Sequence, residues 1–272
     1  MTDDKKGETC MTVVDAYTPV QIACRIEGVG IAKANLHSVP LFALSVLAGA
    51  FIALGAMFYT VVITDTGMGL GPTRLLGGIA FSLGLVLVVV GGAELFTGNN
   101  LLVMGWAHGK IKTTAMLRNW GFAYVGNFFG AIAMVILAYF SGYLNLGGGG
   151  VEATVVKIAQ AKVQLPFVQA FVSGILCNVL VCLAVWLCFA AHTVTSKILA
   201  IVFPISAFVT LGFEHCIANM FFIPIGMLVS DPGTVTVQGF ISNIIPVTLG
   251  NIVGGGLFVA MSYYLIYLYK RE

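Results

Sequence analysis

Apolar residues fall along this chain in six long stretches, at about 39 to 63, 75 to 107, 119 to 143, 166 to 191, 198 to 229 and 239 to 268. Each is long enough to cross the hydrocarbon region of a bilayer, which takes about 20 residues of helix. The pattern predicts an all-α polytopic membrane protein with six transmembrane helices. Four stretches are plain. The second and fifth are longer than one crossing needs, and each is interrupted by small and polar residues. The interruptions read G92-A-E-L-F-T-G-N99 and G212-F-E-H-C-I-A-N219. A carboxylate inside a span is expensive unless something satisfies it, so these two helices are expected to be broken.

The interruptions match each other at Gly, Glu and Asn. Downstream, N119-W-G-F-A-Y-V-G-N-F-F-G130 matches N243-I-I-P-V-T-L-G-N-I-V-G254 at Asn, Gly, Asn and Gly. An offset of 120 residues relates the first pair and 124 the second. Two matches in the same order predict a single transmembrane domain made of two halves, 39–143 and 166–268. Three spans per half turn the second half over, giving an inverted 3+3 repeat whose two breaks face each other near the midplane. The bland alternative is that the glycines only permit close helix contact. That leaves Glu94, Glu214 and His215 unexplained.

Composition supports the membrane reading. The 272 residues are 59% hydrophobic and 9% charged, where a soluble domain carries about a quarter charged residues; mean hydropathy is +1.00. A net charge of +2 with no dense basic stripe gives nucleic acid no footing. With the N-terminus inside, ten basic residues fall on the inner side, among them Lys5, Lys6, Lys33, Lys197, Lys270 and Arg271. Only Arg74, Lys157 and Lys162 fall outside. The positive-inside rule then makes 1–38 a cytoplasmic N-terminal segment and 269–272 a cytoplasmic tail. The polar start, M1-T-D-D-K-K, argues against a cleaved signal peptide. Six cysteines, Cys10 and Cys24 included, form no C-x-x-C pair and read as small buried hydrophobes. Four scattered histidines do not make a metal site, and no cofactor is expected. No nucleophile-and-base set points to an enzyme, no paired N-P-A motif points to a water or glycerol channel, and no nucleotide motif is present.

Three groups of residues carry candidate chemistry. His215 is the histidine in the middle of a span, and its imidazole can donate a hydrogen bond to a small weak-acid anion or pass it a proton. A satisfied packing histidine is the alternative. Glu94 and Glu214 occupy matched positions, where bare carboxylates would repel such an anion. They read first as clasps that accept backbone N–H bonds or bonds from Asn99 and Asn219, and second as proton relays. Asn127 and Asn251 are expected in the same polar network. Phe81 and Leu85 share a helix face, and Phe208 precedes the His215 break. Together they would form an apolar constriction that excludes hydrated ions, or ordinary packing.

The motifs G212-F-E-H-C-I-A-N-M-F-F-I-P, G91-G-A-E-L-F-T-G-N99 and the two G-N-x-x-G elements together resemble the formate/nitrite transporter family, from about Glu27 to Tyr269. The resemblance implies an aquaporin-like fold and a homopentamer in membrane lipid, each protomer with its own pore. The passenger would be a small monovalent anion, moving with or without protons: formate first, nitrite second, hydrosulfide third. It implies Thr97 and His215 as the central pair, Phe81, Leu85 and Phe208 as the cytoplasmic-side constriction, and Phe96 with Val181 as the outer one. Lys162 resembles the vestibule lysine, raising the local anion concentration from outside, and Asn178 the pore asparagine. The run Gly67, Met68, Gly69, Leu70, Gly71, Pro72 and Thr73 resembles a gating loop beneath the pore. Cys216 stands where the family motif often has Ser, and is a poorer hydrogen-bond donor.

Overall fold

A computed structural model describes residues 16–269. Cys10, Lys5, Lys6, Lys270 and Arg271, and most of the polar start and tail, lie outside the described residues. The chain folds as α1 (Pro19–Ala34), α2 (Ser38–Ile63), α3 (Leu70–Gly91), a 3-10 helix (Gly98–Leu102) and α4 (Val103–Ala107). It continues as α5 (Thr113–Phe140), a 3-10 helix (Tyr143–Gly149), α6 (Gly150–Val163), α7 (Phe167–Ala190), α8 (Val194–Leu211) and α9 (Cys216–Val229). The last long helix is α10 (Val237–Ile252), a π-helical stretch (Val253–Met261) and α11 (Ser262–Tyr267) in series. Among the described residues, six helices are long and apolar enough to cross a membrane: α2, α3, α5, α7, α8 and the composite from Val237 to Tyr267.

Two helices lie outside the hydropathy stretches. α1 opens on a capping box, with Thr18 and Gln21 exchanging side-chain and backbone bonds and a proline at the first helical position. α6 follows a run of left-handed glycines, Gly147 to Gly149. Their importance comes from their last turns, which carry Lys33 and Lys162.

The two breaks begin in the same way. α3 ends where Gly92 adopts φ 78° and donates its N–H to the Val88 carbonyl. α8 ends where Gly212 adopts φ 76° and donates to Phe208. Glycine enters this left-handed region without a side-chain clash, so it closes a helix cheaply. Helix resumes at Gly98 in one case and at Cys216 in the other.

Glycines also set how closely the long helices cross. A Cβ on Gly130 of α5 would overlap the Val46 carbonyl of α2, and one on Gly254 would overlap the Ile175 carbonyl of α7. Backbone thus touches backbone at both crossings, the kind of contact that holds helices together where lipid removes the hydrophobic drive. The apolar core between them contains Phe81, Leu85, Val181 and Phe208.

The run expected as a gating loop divides in two. Residues 67–69 are non-helical, with φ of 61° at Gly67 and 75° at Gly69. Leu70, Gly71, Pro72 and Thr73 instead form the first turn of α3. A proline is tolerated there because the N–H it lacks would have no helical partner. The Thr66 and Thr73 hydroxyls meet at 2.6 Å and tie the loop to that turn. The loop lies at the opposite end of α3 from the Gly92 break, about 33 Å of helix away.

Candidate functional site

Each break is held by a buried carboxylate that shares a lysine and two asparagines. Glu94 accepts from Lys33 Nζ at 2.9 Å and from Asn99 Nδ2 at 2.7 Å. Asn99 also donates to Asn119 Oδ1 at 2.9 Å, and Asn119 donates to the Lys33 carbonyl at 3.1 Å. In the other half, Glu214 accepts from Lys162 Nζ and Asn219 Nδ2 at 2.8 and 2.7 Å. Asn219 donates to Asn243 Oδ1 at 2.7 Å, and Asn243 to the Lys162 carbonyl at 2.8 Å. The two sets share these four bonds and differ beside them: Lys33 also donates to Asn99 Oδ1 at 3.0 Å, whereas Asn219 Oδ1 has no partner among the described residues and Asn243 also reaches Glu214 at 3.4 Å.

Asn127 and Asn251 supply the backbone bonds. Asn127 Oδ1 accepts from the Phe96 N–H at 2.9 Å, and its Nδ2 donates to the carbonyls of Ser45 and Glu94. Asn251 Oδ1 accepts from the Cys216 N–H at 2.9 Å, and its Nδ2 donates to Gly174 and Glu214. The orphan groups at each break are therefore met by amides, not by the glutamates. The glutamates accept instead from their lysines and from Asn99 and Asn219. Lys162 is accordingly not a free attractor of anions, as the resemblance implied: its ammonium is spent on Glu214, with a side chain 14% exposed. Lys33, read from sequence only as a topology marker, does the same for Glu94.

Between the breaks, Thr97 Oγ1 and His215 Nε2 stand 3.0 Å apart, both buried. His215 is the N-cap of α9, and its Nδ1 accepts from the Ala218 N–H at 3.1 Å. That bond requires Nδ1 to be unprotonated, so a neutral ring carries its proton on Nε2 and donates it to Thr97. The Thr97 hydroxyl proton then faces another acceptor. Asn178 lies beside this pair, with Nδ2 donating to the carbonyls of Thr97 and Asn251 and to Asn100 Oδ1. It stitches one half to the other. Its Oδ1 is buried without a partner among the described residues.

Apolar residues close the space on either side. The Phe208 ring stacks on His215 with centroids 6.0 Å apart, and Phe81 meets Phe208 edge-on at 5.7 Å. Phe81, Leu85, Val181, Phe208 and His215 line one cavity of about 10 Å³. That is at the lower limit for a single water. Leu85 and Leu95 line this cavity and also a vestibule of about 310 Å³, which carries Arg25, Lys33 and Lys197 on its wall. The two leucines form the partition between them.

The constriction residues do not sort as the resemblance implied. Val181 lines the small cavity together with Phe81 and Phe208, and Phe96 does not line it. Phe96 turns aside because its backbone is held by Asn127, and its ring packs edge-on against Trp120 and Tyr124. Leu95 was missed, although the offset of 120 residues pairs it with His215. Cys24 is exposed, whereas Cys177, Cys182, Cys188 and Cys216 are buried. No group of three or more metal-ligating side chains is assembled among the described residues.

The chain resembles known proteins along nearly its whole length. A family model described as formate/nitrite transporter matches residues 20–265. The formate channel FocA of Escherichia coli strain K12 is 40% identical over 276 residues, covering 95% of this chain and 97% of that protein. A probable formate transporter of Methanothermobacter thermautotrophicus is 43% identical over 242 residues, covering 83% of this chain and 88% of its own. A solved structure of a pentameric formate channel with formate bound superposes with a TM-score of 0.79 at 43% identity, covering 85% of this chain and 98% of the other. An FNT family ion channel does so with a TM-score of 0.83 at 29% identity, covering 90% and 98%.

Proposed function

The chain belongs to the formate/nitrite transporter family, and on that premise we propose that it is a homopentameric channel whose protomers each pass formate across the cell membrane. Relatives named as formate channels and a pentameric formate-bound neighbour support the substrate and the assembly. The observation that carries the reading is the Thr97–His215 pair. His215 is the polar residue in the lining of an otherwise apolar cavity, Thr97 stands behind it at 3.0 Å, and each nearby carboxylate is already neutralised by a lysine. An anion meets donors there without meeting net negative charge.

Passage follows from the layout. Formate collects in the vestibule near Arg25 and Lys197, where positive charge not paired with Glu94 raises its concentration. Leu85 and Leu95 then strip its water as they swing apart, since the cavity behind them holds no more than about one water as it stands. Inside, the Thr97 hydroxyl and the His215 Nε2–H donate to the carboxylate, and the ring takes up a proton, and can then pass one on, only when Nδ1 releases the Ala218 N–H. Phe81 and Phe208, which the resemblance implied on the cytoplasmic side with Leu85, do not line the vestibule and guard the far side instead. The protein moves its substrate without converting it.

The same reading orients the molecule. The vestibule with Lys33 and Lys197 faces the cytoplasm, both termini lie there, and the two halves cross the membrane in opposite senses. Each half, 39–143 or 166–268, is preceded by the short helix that delivers its lysine, α1 or α6.

Nitrite is the second reading, because the matching family model is described for both anions. One panel separates them. Proteoliposomes holding the pentamer are mixed with formate, nitrite or hydrosulfide, and entry is followed by stopped flow. Formate is expected to enter fastest. A pentamer that passes nitrite or hydrosulfide much faster reassigns the substrate, and one that passes none of the three overturns the reading. Native mass spectrometry in mild detergent checks the assembly; a dominant monomer or trimer overturns it.

A further inference from the structure

Tyr124 lies on α5 between Asn119 and Asn127, and Thr248 lies on α10 between Asn243 and Asn251. The spacing that matches those asparagines also matches Tyr124 with Thr248, so the two occupy equivalent places in the two halves. Their hydroxyls meet at 3.0 Å. Neither lines the small cavity, and neither belongs to the lysine–glutamate–asparagine sets. A polar bond between half-buried groups at the seam of two repeats is unexplained by anything described so far.

Each partner bears on one of the breaks. The Tyr124 ring packs edge-on against Phe96, with centroids 5.0 Å apart, and Phe96 immediately precedes Thr97. Thr248 lies one turn before Asn251 on α10, and Asn251 Oδ1 holds the N–H of Cys216, which immediately follows His215. Phe96 and Cys216 are the two residues whose N–H groups are held by Asn127 and Asn251. The bond therefore closes a frame. One side runs from Tyr124 through Phe96 to Thr97, the other from Thr248 along α10 to Asn251 and so to Cys216 and His215, and the Thr97–His215 contact completes it.

We infer that the Tyr124–Thr248 hydrogen bond is a positioning device for the pore pair, cross-bracing the two breaks so that the Thr97 hydroxyl and His215 Nε2 stay in register. Tyr124 and Thr248 are positioning residues; they do not touch the permeant. The inference rests on the reading of Thr97 and His215 as the pair that handles formate. Removing one hydroxyl leaves the rings, the carboxylate clasps and the vestibule in place, and loosens only the frame.

Tyr124→Phe and Thr248→Val each delete one side of the bond while keeping shape. In stopped-flow proteoliposomes, each is expected to lower the maximal formate flux about two- to tenfold, the span of one net hydrogen bond. The half-saturating formate concentration should stay put, because entry at the vestibule is untouched. The double variant should lose no more than either single one, and Thr248→Ser should restore wild-type flux. A wild type that passes no formate overturns the functional reading and the brace with it. A conducting wild type matched by a pentameric Tyr124→Phe overturns the brace alone. So do losses that add in the double variant, or a half-saturating concentration that moves with the flux.

Discussion

Around Glu94 and Glu214 the two halves of the chain share the same main bonds, yet the residues between each glutamate and its asparagine have diverged. The frame is common: lysine on carboxylate, asparagine on carboxylate, a second asparagine behind it, and an amide gripping the broken backbone. Within that frame, Leu95 stands where the second half has His215, Phe96 where it has Cys216, and Thr97 where it has Ile217. Both breaks pose the same physical problem. Each leaves backbone donors and a carboxylate in a setting without bulk water, and each solves it with the same side chains. The space enclosed serves a different end. One permeant needs one donor pair and apolar walls around it, so duplicating His215 or Thr97 would add polar groups with nothing to bind.

The comparison can be broken most forcefully at the carboxylates. Glu214→Ala leaves Lys162 and Asn219 buried without their acceptor, and removing one partner of a buried ion pair costs about 3–5 kcal/mol. The pentamer is expected to unfold at a markedly lower temperature or fail to assemble. Glu94→Ala should do less, because the Lys33 side chain is 28% exposed and can turn to water where Lys162, at 14%, cannot. Differential scanning fluorimetry of both variants reads the gap. Equal thermal losses would mean that the two clasps see the same surroundings after all.

The helix crossings come next. Gly130→Ala and Gly254→Ala each press a methyl group into a carbonyl of the facing helix. Overpacking of this kind costs about 1–3 kcal/mol, and thermal unfolding should show it in both. Equal losses keep the crossings equivalent. A smaller loss at Gly254 would assign some give to the π-helical stretch, which the first half lacks at the matching place.

Smaller effects test the divergent lining. His215→Asn keeps a capping side chain on α9, since asparagine is a favoured N-cap, but cannot exchange a proton near neutral pH. Formate flux should fall about tenfold, the upper end for one lost hydrogen bond, and should no longer rise as the outside is acidified. A pH profile parallel to wild type would remove His215 from proton handling. Thr97→Val keeps the branched volume and deletes the hydroxyl. It should slow flux about threefold without admitting acetate or lactate, within the range for one hydrogen bond. Faster acetate entry would show that Thr97 had been limiting size instead.

The legible parts of this protein share a cause. Six crossings, both breaks and the matched spacing could be read because hydropathy and the placement of Gly, Glu and Asn act along the chain, within a turn or two of where they appear. Asn99 and Asn219 reach their glutamates across a five-residue separation, so local reading found both clasps. Their lysines come from helices far off in sequence: Lys162 meets Glu214 across 52 residues, and nothing near either one announces the pair. α1 was announced, by Thr18, Pro19 and Gln21 and by the stripe of Ile22, Ile26 and Ala34, but at 16 residues it is too short to register as a membrane span. The sorting of Phe96 away from Val181 was beyond local reading. It depends on which way Asn127 turns the backbone, and that depends on the crossing of α2 and α5.

The cavity between Leu85 and His215 has a bioenergetic consequence. At about 10 Å³ it cannot hold the file of waters along which protons hop. A passage that stayed wet would short-circuit the proton gradient in every protomer, all the time. On the proposed reading, a leucine partition that parts only for the passing anion would let a membrane crowded with these pores move a small acid and still hold its charge.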